Sequence, residues 1–145
     1  MTRVERFKAE HWNEIAEQEA MAYLRDYISP EMVQSLEKSK YAYTIRVDGR
    51  VVACVGVVEF WQGRGEAWTV IDRNCKREFI SIHRTVKSLL EICPMDRVEA
   101  VVDLGFDAGH RWMDLLGFKL EAPIMAKYRQ NGAHCSLYAR VKNHG

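Results

Sequence analysis

The stretch that most constrains this chain is Asp107-Ala-Gly-His-Arg-Trp-Met-Asp-Leu-Leu-Gly-Phe118. It reads as a helix start, a short amphipathic helix, a glycine stop and an immediate strand. Asp107 is a good N-cap, because its carboxylate can accept a hydrogen bond from a free amide of the first turn. Trp112, Leu115 and Leu116 share one helical face, with Asp114 on the other. Gly117 suits the left-handed conformation that ends a helix, and Phe118 then re-enters the core. An apolar strand, Val98 to Leu104, leads in, and a second, Phe118 to Tyr128, leads out. A chain with this unit must stack a helix on a sheet.

The remaining periodicities extend that layer. Thr2 to Phe7 alternates as a strand does. His11 to Tyr27 is helical, with Trp12, Ile15, Ala16, Ala20, Tyr23 and Tyr27 recurring at three- and four-residue steps. Ser29-Pro30 starts a second helix that runs to about Lys38, with serine as the cap and proline where a missing N–H costs nothing. Tyr41 to Val47 alternates, and Asp48-Gly49 makes a tight hairpin turn into Val51 to Phe60. Gln62 to Gly65 turns the chain into a strand from Glu66 to Ile71. Lys76 to Ile92 is a long helix with Phe79, Ile82, Val86, Leu89 and Leu90 inward, ended by Pro94. Strands at Arg97 to Leu104, Phe118 to Tyr128 and His134 to Val141 complete the set, the last two joined through Gln130-Asn131-Gly132.

Composition removes several function classes. The 145 residues are enough for one domain with a real core, spanning residues 1–145. Formal net charge is +1, so no bulk field draws the chain to nucleic acid or to a membrane surface. No apolar run approaches the roughly 20 residues of a membrane helix, and the N-terminus lacks an apolar signal core. The cysteines at 54, 75, 93 and 135 form no Cys-x-x-Cys pair, and the histidines are scattered, so no metal site is expected. Cys54 and Cys93 read as small core residues, which suits a reduced, cytoplasmic compartment. Cys75, at a helix start beside Lys76, is a candidate for a lowered thiol pKa; the simpler reading is an inert, partly exposed thiol. No Gly-x-Ser-x-Gly elbow is present.

The order strand, helix, helix, three antiparallel strands, helix, strand, helix, two strands resembles the Gcn5-related N-acetyltransferase (GNAT) fold along nearly the whole chain. So does the helix that closes in Leu116-Gly117-Phe118. The resemblance implies an α/β (α+β) domain with a mixed central sheet of about six to seven strands and helices on both faces. It also implies that Val70-Ile71 and Val101-Val102 lie on neighbouring parallel strands that splay, with acetyl-coenzyme A (acetyl-CoA) between them and its pyrophosphate on the next helix N-terminus. An anion is favoured there by free amides and the helix dipole. On that map the cofactor residues are Val70, Ile71, Arg73, Lys76 and Arg77. The family's glycine loop is replaced by Arg73-Asn-Cys-Lys-Arg-Glu78, so charge stands in for backbone contacts.

The resemblance implies a general acid too, usually a Tyr four residues before the glycine of Leu-Gly-Phe. That position is Met113, which has no proton to give. Tyr128, Tyr138 and His110 are the substitutes within reach of the same chemistry. For the base that deprotonates the amine, Glu66 and Glu59 are the nearest carboxylates, and Glu59 would have a raised pKa if buried. A narrower resemblance covers roughly residues 50 to 141. Glu66-Ala-Trp-Thr-Val-Ile71, a basic helix without the glycine loop, and Gly109 to Phe118 are similar to short GNAT-like proteins of tailed bacteriophages, including internal virion proteins. Two functions follow. One is transfer of an acetyl group from acetyl-CoA to an amine on a small molecule or protein. The other is a catalytically silent phage protein that binds a host or virion protein in the host cytoplasm.

Overall fold

A computed structural model describes residues 1–15 and 29–142. Its strands are β1 (Thr2–Arg6), β2 (Tyr41–Val47), β3 (Arg50–Trp61), β4 (Arg64–Ile71), β5 (Arg97–Asp103), β6 (Lys119–Met125) and β7 (Cys135–Val141). The helices are α1 (Ala9–Trp12), α2 (Pro30–Glu37), α3 (Phe79–Ile92) and α4 (Asp107–Leu115). The strands form one seven-stranded sheet in the order β1-β2-β3-β4-β5-β7-β6. β4 and β5 pair in parallel, whereas β1–β2, β2–β3, β5–β7 and β6–β7 are antiparallel. The fold is thus mixed α+β with a mixed sheet, as expected. Most of the predicted His11 to Tyr27 helix falls on residues 16–28, outside the described residues. No helix among the described residues is long and apolar enough to cross a membrane.

Two compact units make up the chain: Met1–Val58 with Trp68–Cys93, and Glu59–Ala67 with Pro94–Gly145. In the first, Asp48 and Gly49 take φ of 51° and 83°, the paired left-handed residues a tight β2–β3 hairpin requires. Strand alternation, broken by a register shift of β3 against β2 after Ile45, then sorts side chains to two faces. Phe7, Ile15, Val33, Ala42, Val51, Cys54 and Val70 form one buried cluster, edged by Trp12, Leu36 and Trp68. Ile45, Val52, Ala53 and Ile71 fall outside that cluster and are buried too, as is Ile82 of α3, which packs against β2. Residues 51–57 of β3 are therefore buried without a break, as in a strand covered on both sides. Ser29 caps α2 by accepting from the Met32 N–H at 3.2 Å, with Pro30 at the first helical position.

In the second unit, α4 packs on β5, and Val98, Ala100, Val102, Trp112, Met113, Leu116, Phe118 and Tyr138 are buried. The approach is close: a Cβ at Gly109 would lie 2.6 Å from the Phe106 ring and 2.9 Å from Val102. The helix closes on Gly117 at φ 86°. The Gly117 N–H donates to Asp114 O and the Phe118 N–H to Met113 O, both bonds of a Schellman stop.

Local sequence signals misplaced three details here. Phe106, not Asp107, is the N-cap, and no side chain caps the helix, because the chain turns in one residue earlier. Leu115 is 60% exposed, since a nine-residue helix lying on one strand buries a narrow stripe through Trp112, Met113 and Leu116. β6 stops at Met125, and Lys127 at φ 52° begins the turn.

Leu116→Ala should cost about 2–5 kcal/mol in denaturant unfolding, because the side chain is removed from a packed core. Leu115→Ala should change stability by no more than about 0.5 kcal/mol. Equal effects would contradict the observed helix orientation.

Candidate functional site

The second unit carries a charged face. β4 and β5 pair over three positions only, Arg64↔Arg97, Gly65↔Val98 and Glu66↔Glu99, although both strands run on. Period-two alternation puts Arg64 and Glu66, and Arg97, Glu99 and Asp103, on the same side. Two arginines directly opposite would repel. Glu99 resolves this from a buried position. It accepts from Arg64 Nε at 2.5 Å and Nη2 at 3.1 Å, and from Arg97 Nε at 2.7 Å. Arg97 also grips Glu121 through Nη1 at 3.0 Å and Nη2 at 2.5 Å. The hydrogen bond from Arg64, assisted by Arg97, holds the Glu99 carboxyl below the usual range despite burial. The Arg64 guanidinium lies 4.5 Å from the Trp61 ring centre and 5.1 Å from that of Phe60.

Glu66 is the exception on this face. It is half-buried and has no ion pair or hydrogen-bonded side-chain partner among the described residues. Burial pushes its carboxyl up; Arg129 pulls it down, Glu99 adds to the rise and Arg64 opposes it. Tyr128 follows β6. Its phenol is pushed up by burial first and by the Glu66 charge next. The structure therefore brings Glu66 and Tyr128, two of the predicted site residues, within electrostatic reach of each other. Glu59 differs from expectation: it is exposed rather than buried. β3 has left its covered stretch by then, as residues 58–61 are all exposed.

The other candidate acids are committed elsewhere. His110 Nε2 lies 3.1 Å from the carbonyl oxygens of Asp103 and Leu104, so that nitrogen carries the proton. Its Nδ1 then accepts from the Tyr138 hydroxyl at 2.8 Å in the neutral ring. This locks the β5–α4 turn onto β7. Tyr138 is buried, and burial pushes its phenol up. Met113 is a buried core residue.

In the first unit, Val70 and Ile71 are both buried, so only their backbone is available to a ligand. Asp72 ends the strand and organises the loop. Its Oδ1 accepts from the Asn74 N–H at 2.8 Å, its carbonyl from the Cys75 N–H, and its Oδ2 from Arg50 at 3.2 Å. Arg50 also donates to Glu78 at 2.9 Å. A 3-10 turn, Lys76–Glu78, then leads into α3. Arg73, Lys76 and Arg77 are exposed and make no ion pair among the described residues. Cys75 is buried rather than partly exposed, and burial, with Asp72 and Glu78 nearby, pushes its thiol up to about 11. A helix start does not lower a thiol pKa when desolvation and two carboxylates oppose it.

Sequence reasoning missed Arg50, Arg64, Arg97, Glu99, Asp103, Glu121 and Arg129. One signal was present: a lone carboxylate inside the apolar run Val98-Glu-Ala-Val-Val102 requires a buried cation.

No family model and no curated protein matches the sequence. Solved structures do match the fold. Ard1 from Thermoplasma volcanium superposes with a TM-score of 0.79 at 16% identity, over 99% of both chains. The ribosomal-protein-S18-alanine N-acetyltransferase of Escherichia coli gives 0.79 at 16% identity, over 100% of this chain and 97% of its own. A spermidine N-acetyltransferase chimera from Vibrio cholerae and hSSAT gives 0.72 at 9% identity, over 97% and 95%. The chain has the GNAT fold. At these identities the likeness extends to the fold alone.

The state of Glu66 has a stability consequence. Its folded pKa exceeds its unfolded one, so folding favours the protonated form, and stability falls as pH rises through that window. Glu66→Gln should therefore raise the melting temperature at pH 7 relative to wild type, with the gain shrinking at about pH 4. A melting temperature lowered at pH 7 would show that the carboxylate is a structural partner.

Proposed function

We propose that this chain, acting as one domain over residues 1–145, is an N-acetyltransferase that moves an acetyl group from acetyl-CoA to an amine. The observation that carries the reading is the placement of Glu66. It occupies the last paired position of β4 and β5, on a face where its neighbours are neutralised by partners and it is not. A structural carboxylate would have been given a cation; a base must keep its lone pair.

Acetyl-CoA would supply a thioester carbonyl open to attack by nitrogen. Glu66, partly desolvated, takes the proton that the amine must lose, and its raised pKa makes it a stronger base than a solvated carboxylate. Tyr128 holds its proton while Glu66 is anionic, since each negative charge disfavours the other, and so can donate to the departing thiolate. Tyr128 thus replaces the family acid lost at Met113.

The residues at the α3 start fit the anionic end of the molecule. The N–H groups of Arg73, Lys76 and Arg77 have no partner among the described residues, and their side chains add three unpaired positive charges. Arg50 holds the two nearby carboxylates, Asp72 and Glu78, which would otherwise repel a phosphate. Val70 and Ile71 contribute backbone only. Two neighbours are named for an alanine of ribosomal protein S18 and for spermidine, and an amine on a protein or a small molecule suits this site equally. The four free, buried cysteines support a reducing compartment. Silent partner binding would explain Met113 and the missing glycines, but it leaves an unpaired Glu66 beside Tyr128 without a purpose.

Release of the coenzyme A thiol, followed with a panel of an alanyl peptide, a lysyl peptide and spermidine, tests the chemistry. Glu66→Gln and Tyr128→Phe should each lower kcat/KM by about 10²–10⁴-fold. A wild-type chain inert towards the whole panel would sink the reading.

Calorimetry tests the cofactor end. Acetyl-CoA should bind, Arg77→Glu should weaken it strongly, and added salt should weaken it too, because exposed charges are screened over about 8–10 Å. Unchanged affinity in Arg77→Glu would move the anion site away from α3.

A further inference from the structure

We propose that Arg129, anchored by Asp103, is a positioning residue for the Glu66–Tyr128 pair: its guanidinium fixes the Tyr128 ring and is the cation both groups share. The inference rests on the acetyl-transfer reading of those two residues.

The geometry begins at the end of β5. Asp103 Oδ1 accepts from Arg129 Nε at 3.0 Å and lies 2.9 Å from Arg129 Nη2. Cys135, opposite Asp103 in the β5–β7 register, brings its Sγ within 3.5 Å of the same oxygen. The β6–β7 turn is thereby stapled to β5. The turn is stiff at Arg129 itself, whose N–H donates to Ala133 O at 3.1 Å and whose carbonyl accepts from the Gly132 N–H at 2.9 Å. The Lys127 N–H donates to His134 Nδ1 at 2.9 Å, closing the near side. Tyr128 is held between these two anchors, with the Arg129 guanidinium 5.9 Å from its ring centre.

The electrostatics follow from that placement. Glu66 senses Arg64 on its own strand, Glu99 from β5, and Arg129 and Tyr128 from beyond β6. Arg97 and Glu121 complete the same network, and Asp103 and Cys135 flank Arg129. Arg64 and Arg97 are already bound to Glu99. Arg129 counteracts the rise at both Glu66 and Tyr128. Without it, Glu66 would stay protonated to higher pH and Tyr128 would yield its proton less readily. A guanidinium suits both tasks, because it can hold a carboxylate and still lie near an aromatic ring.

The test compares Arg129→Gln and Arg129→Lys with wild type. The midpoint of Glu66 is read by carboxyl-carbon NMR, that of Tyr128 by phenol absorbance in the free protein, and the pH profile of acetyl transfer by thiol release. In Arg129→Gln both midpoints should move up, and the acid limb of kcat/KM should move with Glu66. At a fixed pH on that limb, the rate falls about tenfold for every tenfold loss in the ionised fraction of Glu66. Arg129→Lys keeps the charge and loses the fork. Its midpoints should return towards wild type, while the plateau of kcat/KM stays depressed by up to about 10²-fold through misplacement of Tyr128. Midpoints unchanged in Arg129→Gln would overturn the inference and leave Glu66 as the base. Altered midpoints in a protein inert towards acetyl-CoA and every amine would overturn the acetyl-transfer reading instead.

Discussion

Glu99 is the interaction on which the second unit depends. The parallel seam of β4 and β5 is three residues long and sets two arginines face to face. Like charges placed directly opposite weaken so short a seam. A carboxylate buried between the arginines, taking two bonds from Arg64 and one from Arg97, turns the clash into a clamp. The clamp reaches β6 through Glu121. A buried charge is tolerable only when so fully paired, because desolvation otherwise exceeds the Coulombic gain.

The same clamp gives Glu66 its character. Glu66 is Glu99's register partner, so it stands beside a carboxylate whose own cations are already taken. It receives the repulsion and only a partial compensation, from Arg129 and Arg64, neither of them paired to it. Burial adds to this, and the result is a carboxyl that is reluctant to ionise. Tyr128 is drawn into the same balance, its phenol raised by burial and by the Glu66 charge. One charged network thus shifts a carboxyl and a phenol together, the two groups we propose as proton acceptor and proton donor. At the α3 start the logic is reversed. There Arg50 absorbs Asp72 and Glu78, and three cations are left without partners among the described residues.

How much of this was legible depends on the range of the interaction. The hairpin at Asp48-Gly49, the Ser29-Pro30 helix start and the Gly117 stop each rest on a few adjacent residues, and each formed where the local chemistry required. The exposure of Leu115 and the cap at Phe106 did not follow from local rules, because they depend on how closely α4 sits on β5. Gly109 makes that approach possible, and its small size has no meaning until Phe106 and Val102 are placed against it. Glu59 and Glu66 show the same contrast within the site. In the sequence Glu59 lies inside an apolar run and Glu66 follows a turn, yet Glu59 is exposed and Glu66 half-buried.

By itself, then, the sequence determined the order and kind of elements, the apolar faces and turns, and so the GNAT architecture. Periodicity, capping and glycine conformations act over a few residues and are written in them. Tertiary structure alone decided which polar groups meet: Arg64 and Arg97 on Glu99, Arg129 on Asp103, Arg50 between Asp72 and Glu78, Tyr138 on His110. These partners lie from 22 to 35 residues apart in the chain, except Arg97, two residues from Glu99. Electrostatic interaction depends on distance through space and on burial, and neither exists until the sheet has assembled its register.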